Sequence, residues 1–177
     1  MLADMREVAP TYFLATPRVL EALFTQVTLR VEDAGGFNRG LYRACMWLAR
    51  RVGARILSRE RVFVGSRLAY AVGNLLIYGP LRDVLGMSRV RAAYTAGDVI
   101  APGLLMYFRS LGINLKQLYG STETGFLVAM QRKGEVKPDT VGRTAEGVEL
   151  KFTPEREILV RSPGLFKEYH RDPDTTT

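Results

Sequence analysis

The sequence predicts an α/β fold: a parallel-sheet βαβ part with packed helices, followed by a short antiparallel β element. Three observations lead there. Apolar residues recur at helical spacing at Leu20, Leu23, Phe24, Val27 and Val31, and again from Leu41 to Ile56. From Val90 to Tyr119 the pattern runs strand, helix, strand, which implies parallel pairing and a right-handed crossover. After Gly125 the apolar runs become short and are separated by polar turns, as in antiparallel strands.

In chain order, Tyr12-Phe13-Leu14-Ala15 is an apolar run predicted as a buried strand. Thr16 then offers an N-cap and Pro17 suits the first helical position. The first helix is predicted to reach about residue 32, with Gly35-Gly36 ending it. A second helix is predicted over roughly 38–57, with Leu41, Cys45, Leu48, Val52 and Ile56 on one face and Arg39, Arg43 and Arg50 opposite. Residues 62–87 hold more helical material, interrupted at Gly79-Pro80. The βαβ unit is assigned to a strand Val90–Tyr94, a helix over 101–111 and a strand Leu115–Tyr119. Short strands are predicted at Phe126–Met130, Val148–Phe152 and Glu157–Val160.

A chain of 177 residues suffices for one domain with its own core. An apolar fraction of 47% excludes a disordered chain, and no apolar stretch is long enough to cross a bilayer. Met1 is not followed by a signal-peptide pattern, so a reducing cytoplasm is the expected compartment. The single cysteine, Cys45, excludes an internal disulfide and a multi-cysteine metal site, and its place on an apolar helix face predicts a packed, inert thiol. His170, the one histidine, lies among charged residues near the carboxyl terminus and gives a Ser-His-Asp triad little support. Trp47 and most Tyr and Phe residues are expected in the core.

The net charge of +7 is uneven. Residues 1–91 carry 14 basic side chains, all arginine, against 7 acidic ones, whereas residues 92–177 carry 11 of each. Such an excess suits phosphates, an anionic membrane surface or nucleic acid, and equally a solvated helix face.

The most informative segment is Tyr119-Gly120-Ser121-Thr122-Glu123-Thr124-Gly125, where a predicted strand breaks into hydroxyls around one carboxylate. An aromatic face for a base, donors for phosphate oxygens and an oxygen ligand for Mg2+ stand within five positions. A plain Ser/Thr-rich turn after a buried strand has the same composition. In open parallel sheets, ligands sit outside the carboxyl ends of the strands. Both the Gly97-Asp98 turn and the Gly120–Glu123 turn fall at such ends. Gly97 and Thr122 are therefore expected on one sheet edge, bordering one cleft.

Four spaced motifs occur together: Tyr94-Thr95-Ala96-Gly97-Asp98, Tyr119-Gly120-Ser121-Thr122-Glu123-Thr124, Val141-Gly142-Arg143 and the run Glu157 to Gly164. With Arg6 to Thr11 and Ala15 to Glu21, they closely resemble the adenylate-forming (AMP-binding) acyl-CoA synthetases, in particular the long-chain fatty acid–CoA ligase branch. The resemblance implies part of the large N-terminal domain of such an enzyme, with ATP, Mg2+ and coenzyme A as cofactors. It implies fatty acid, ATP and CoA as partners, with peripheral contact at a membrane as an addition and no nucleic acid. By the family's motif, the Tyr119 ring covers the adenine face, the Thr122 hydroxyl bonds the α-phosphate and Glu123 helps hold Mg2+. Thr122 and Glu123 are thus the implied catalytic pair. Gly120 and Ser121 would bring backbone close to the nucleotide, which a bulky residue at 120 would block. Gly97, Asp98 and Val99 match the loop whose main-chain groups meet the base, although relatives can carry glutamate and alanine where Asp98 and Val99 stand. Arg156-Glu157 takes the place of a usual Gly-Glu, as a surface β-turn.

The resemblance also implies parts not found here: a Ser/Thr/Gly-rich phosphate loop with its lysine before residue 94, a ribose-binding Thr-Gly-Asp after the Tyr169–Thr175 stretch, and a small domain with the catalytic lysine. The chain therefore reads as an internal piece, with residues 1–125 the helical and βαβ portion of the AMP-binding domain and 126–177 a truncated β-rich portion. Alone it is expected to be inactive. The rival reading is a basic module for an anionic membrane surface or nucleic acid, in which Tyr119–Gly125 has no task.

Overall fold

The computed structural model describes residues 2–176. After a short helix α1 (Leu2–Val8), strand β1 (Tyr12–Ala15) leads into α2 (Pro17–Asp33) and α3 (Gly36–Leu57). Thr16 stands at the N-cap of α2 and Pro17 at its first turn, but the Thr16 hydroxyl makes no capping bond. α4 (Val64–Gly73) runs through a π turn (Asn74–Tyr78) into α5 (Gly79–Val84). The expected break at Gly79-Pro80 is absent. In the wider turn the Gly79 N–H reaches Asn74 O five residues back, and the chain takes in a proline that has no N–H to give.

β2 (Ala92–Thr95), α6 (Pro102–Ser110) and β3 (Leu115–Tyr119) form the predicted βαβ unit. β1, β2 and β3 are mutually parallel, with Leu14 beside Tyr94 beside Lys116. β4 (Ala129–Met130) and β5 (Arg143–Thr144) continue the sheet antiparallel, in the order β1-β2-β3-β4-β5. β6 (Glu149–Phe152) and β7 (Ile158–Arg161) make a separate antiparallel hairpin. The predicted strand Phe126–Met130 shrinks to its last two residues, because Phe126, at φ +72°, still belongs to the preceding turn.

Packing follows from these positions. Leu20 and Leu23 of α2, Met46 and Ala49 of α3, and Leu105 and Phe108 of α6 bury themselves against Ala93 and Leu115 of the sheet. The buried face of α3 is turned about one residue from the predicted one: Met46, Ala49, Val52 and Gly53 are covered, and Leu41, Cys45, Leu48 and Ile56 only half so. Gly53 sets the α3–α6 approach, since a Cβ there would stand 2.5 Å from Ser110 O. Arg109 is buried on α6, donating to Leu115 O at 2.9 Å and to Ser58 Oγ at 3.1 Å, so it pins the start of β3 to the end of α3. Burial pulls its guanidinium below the ordinary arginine range.

Two core expectations are corrected. β1 is a sheet-edge strand, not a buried one: Tyr12 is 57% and Leu14 41% exposed, because one neighbour and one covered face are all it has among the described residues. Trp47 is 58% exposed, its ring under the Arg51 guanidinium at 3.8 Å. Tyr78, Tyr107 and Phe108 are core, whereas Phe37, Phe63 and Phe152 are exposed. Cys45 is half-buried and its thiol is pushed up by burial, as an inert thiol requires.

Candidate functional site

The two turns of interest leave the same edge of the sheet, since they follow the parallel neighbours β2 and β3. After β2 the chain bends at Gly97, whose φ of +88° is a conformation that side chains resist. There is room for a Cβ, as the nearest atom would be Thr16 Cγ2 at 3.7 Å, so the backbone angle rather than space asks for glycine. Asp98 does not cap α6, where Ala101 holds the N-cap position. Its Oδ1 instead accepts the Val99 N–H at 2.6 Å. Both Asp98 and Val99 are exposed.

After β3 the hydroxyl-rich segment closes into one helical turn. Phe126 N–H donates to Ser121 O and Gly125 N–H to Thr122 O, the paired six-to-one and five-to-two bonds of a Schellman motif with Gly125 left-handed at φ +69°. Thr124 Oγ1 accepts the Ser121 N–H at 3.0 Å and donates to Ser121 O, tying the start of the turn to its end. This fold-back presses Phe126 onto Gly120, where any Cβ would overlap the Phe126 carbonyl. Gly120 is therefore required by the turn itself, a nearer reason than the approach to a nucleotide expected from the sequence.

The hydroxyls divide into two kinds. Those of Ser121 and Thr124 are engaged within the turn, whereas that of Thr122, on an exposed residue, has no hydrogen-bond partner among the described residues. The Glu123 carboxyl lies below the usual carboxylate range, held there by its own backbone N–H, the Ser121 hydroxyl and the Tyr169 hydroxyl. Tyr169 Oη sits 3.0 Å from Glu123 Oε1.

A cavity of about 600 Å³ opens between the two turns. Thr95, Gly97, Asp98 and Val99 line one side, Gln117 to Gly120 the other, and the loop Pro138–Val141 a third. Two amides hold that loop. Gln131 Oε1 accepts the Gln117 backbone N–H at 2.8 Å while its Nε2 donates to Lys137 O and Thr140 O at 2.6 Å each. Gln117 Nε2 reaches Thr140 O at 3.0 Å and Pro138 O at 3.2 Å. Neither glutamine was singled out in the sequence. No local signal marked them, since an amide in or beside a strand needs partners only once the fold buries it. Thr95, register partner of Gln117, is 2% exposed with its hydroxyl unpartnered.

A family model described as "AMP-binding enzyme" matches residues 1–170. The chain belongs to the AMP-binding enzyme family. It is 30% identical to the long-chain-fatty-acid–CoA ligase FadD15 of Mycobacterium bovis, over 95% of this chain and 27% of that protein. It is 22% identical to the peroxisomal long chain acyl-CoA synthetase 7 of Arabidopsis thaliana, over 99% of this chain and 26% of that one. The chain thus spans about a quarter of the length of the curated relatives it matches. Among solved structures, the anthranilate CoA ligase AuaEII in complex with anthranoyl-AMP shares the fold at a TM-score of 0.58 and 16% identity, covering 99% of this chain and 27% of that one. The adenylation domain of a carboxylate reductase from Mycobacterium chelonae does so at 0.55 and 18%, covering 98% and 23%.

In this member of the AMP-binding enzyme family, five of the eight sequence-predicted positions line the cavity: Gly97, Asp98, Val99, Tyr119 and Gly120. Ser121, Thr122 and Glu123 lie in the turn that follows and do not line the cavity, so the two turns share one cleft at Gly97 and Gly120, whereas Thr122, expected to border it, does not. Tyr119 is 39% exposed and lines the cavity. Among the described residues no three His, Cys, Asp or Glu side chains gather into a metal cluster. A lone carboxylate beside a free hydroxyl suits Mg2+, which takes one or two protein carboxylates and completes its shell with water and phosphate oxygens. No helix of the described residues is long and apolar enough to cross a membrane.

Proposed function

We propose that this chain supplies the adenine side and the phosphate-facing turn of the nucleotide cleft of an ATP-dependent long-chain fatty acid–CoA ligase. Residues 1–125 are then the helical and βαβ portion of the AMP-binding domain and 126–177 its β-rich portion. The carrying observation is that the turns after β2 and β3 open on one cavity of about 600 Å³. The names of its curated relatives support the long-chain acyl class.

In this reading a fatty acid carboxylate attacks the α-phosphorus of ATP, the bond to pyrophosphate breaks, and the acyl-adenylate forms. The coenzyme A thiol, losing its proton, then attacks the acyl carbon and AMP departs. The obstacle is the approach of two anions, which the protein lowers by positioning and by fixed donors. Tyr119 offers its ring to the base, and the backbone at Gly97, Asp98 and Val99 shapes the other wall. The Thr122 hydroxyl is the donor left free for the α-phosphate. Glu123 would hold Mg2+, which when bound neutralises charge on the phosphates.

In the complete protein, Glu123→Gln keeps size and hydrogen bonding but removes the anionic ligand. Pyrophosphate exchange is expected to fall about 10²-fold or more, the scale of one electrostatic stabiliser. Thioester formation from supplied acyl-adenylate is expected to be comparatively spared, as no pyrophosphate leaves in it. Equal loss in both half-reactions would make Glu123 a turn-forming residue and defeat the assignment.

A further inference from the structure

The segment after β7 returns to the hydroxyl-rich turn and grips it at three points. Gly164 backs onto Gly125 so closely that a Cβ on Gly125 would stand 2.8 Å from Gly164 O. The Phe166 N–H donates to the Glu123 carbonyl at 2.8 Å. Tyr169, 46 positions along the chain from Glu123, donates its phenol to Glu123 Oε1 at 3.0 Å. Its ring packs edge-on against Phe166, with centroids 4.7 Å apart, and its backbone N–H is held by Thr176 Oγ1 at 3.1 Å. Backbone and side chain of one residue, Glu123, are thus both held by a strap remote in sequence.

We propose that Tyr169 is a positioning residue for Glu123: its phenol fixes the orientation of the carboxylate that the nucleotide site presents to Mg2+ and the phosphates. The inference rests on the role given to Glu123 under the proposed function. A free glutamate side chain has several rotamers to lose on meeting a cation, and a carboxylate already held by a donor has fewer. The aromatic contact with Phe166 in turn keeps the Tyr169 ring from swinging away, so the holding group is itself held. The remaining donors to the carboxylate, its own N–H and Ser121, are local, and among the described residues only Tyr169 ties it to another part of the chain.

The test uses Tyr169→Phe in the complete protein, which removes the hydroxyl and keeps the ring on Phe166. ATP binding is titrated by calorimetry at a series of Mg2+ concentrations, with Glu123→Gln beside it. The Mg2+ concentration for half-maximal enhancement of ATP binding is expected to rise roughly tenfold in Tyr169→Phe, the scale of one hydrogen bond to a charged group. Mg2+-free ATP binding should not change, since the base contacts are untouched. If Glu123→Gln shifts the Mg2+ dependence and Tyr169→Phe does not, the positioning role fails while the Glu123 assignment stands. If neither shifts it, both fail. A Tyr169→Phe protein that loses thermal stability by more than about 4 °C, with nucleotide affinity reduced with and without Mg2+ alike, would show a purely structural phenol and also overturn the proposal.

Discussion

The two turns that border the cavity are built in opposite ways. The turn after β2 depends on one left-handed glycine and one side-chain bond, from Val99 N–H to Asp98, and its residues are otherwise exposed. The turn after β3 is closed by two Schellman bonds, locked by Thr124, backed by Phe126 on Gly120 and strapped from outside by Gly164, Phe166 and Tyr169. The difference matches what the proposed function asks of each. A wall offering main-chain groups to a base needs only its backbone path, and side chains can vary. In the second turn the Glu123 carboxylate is held by a donor from another part of the chain, while the Thr122 hydroxyl is left without a partner among the described residues.

Three substitutions test that contrast. Gly120→Ala should cost most, about 3 kcal/mol, because the added methyl meets backbone of Phe126 that has nowhere to move. Chemical denaturation of the variant chain would measure it, and a loss within error of zero would mean the turn is not folded as described. Gly125→Ala should cost about 2 kcal/mol, combining a left-handed alanine with crowding against Gly164. If that loss came without any change at the strap, as read by protease cutting near Gly164, the two segments would not be packed together. Asp98→Asn should change stability by less than about 0.5 kcal/mol, since an amide oxygen can still accept the Val99 N–H at an exposed site. A loss as large as that of Gly125→Ala would erase the distinction between the turns.

Much of this was legible in the residues. The helical spacing of Leu20, Leu23 and Val27, the Thr16-Pro17 start, and the strand–helix–strand order around α6 are local patterns, and the structure follows them within a residue or two. The meeting of the Gly97 and Gly120 turns followed from topology, because a right-handed crossover puts consecutive parallel strands side by side. Other expectations failed where a local pattern had no access to its neighbours. Tyr12 and Leu14 are apolar enough for a buried strand, yet only sheet order tells that β1 is an edge. Met46 and Ala49 face the core in place of Leu41 and Cys45 because Gly53 lets α6 press against one particular stripe of α3. Gly79-Pro80 reads as a break until a π turn absorbs it. Gln117 and Gln131 escaped notice because a single amide in a strand says nothing until its partner and the loop it holds are known.

By itself, then, the sequence determined the α/β order and the chemical kinds of side chain at the two strand ends, since both depend on residues close together in the chain. The left-handed angles of Gly97 and Gly125 came only with the structure. Only the tertiary structure decided which of those side chains are free to act. Thr122 and Thr124 are the same residue two positions apart, and one hydroxyl is open while the other is engaged. The Glu123 carboxylate accepts a bond from the Tyr169 phenol, a contact across 46 positions. Whether a donor is available depends on which partners reach it first, and partners distant in sequence are set by packing alone.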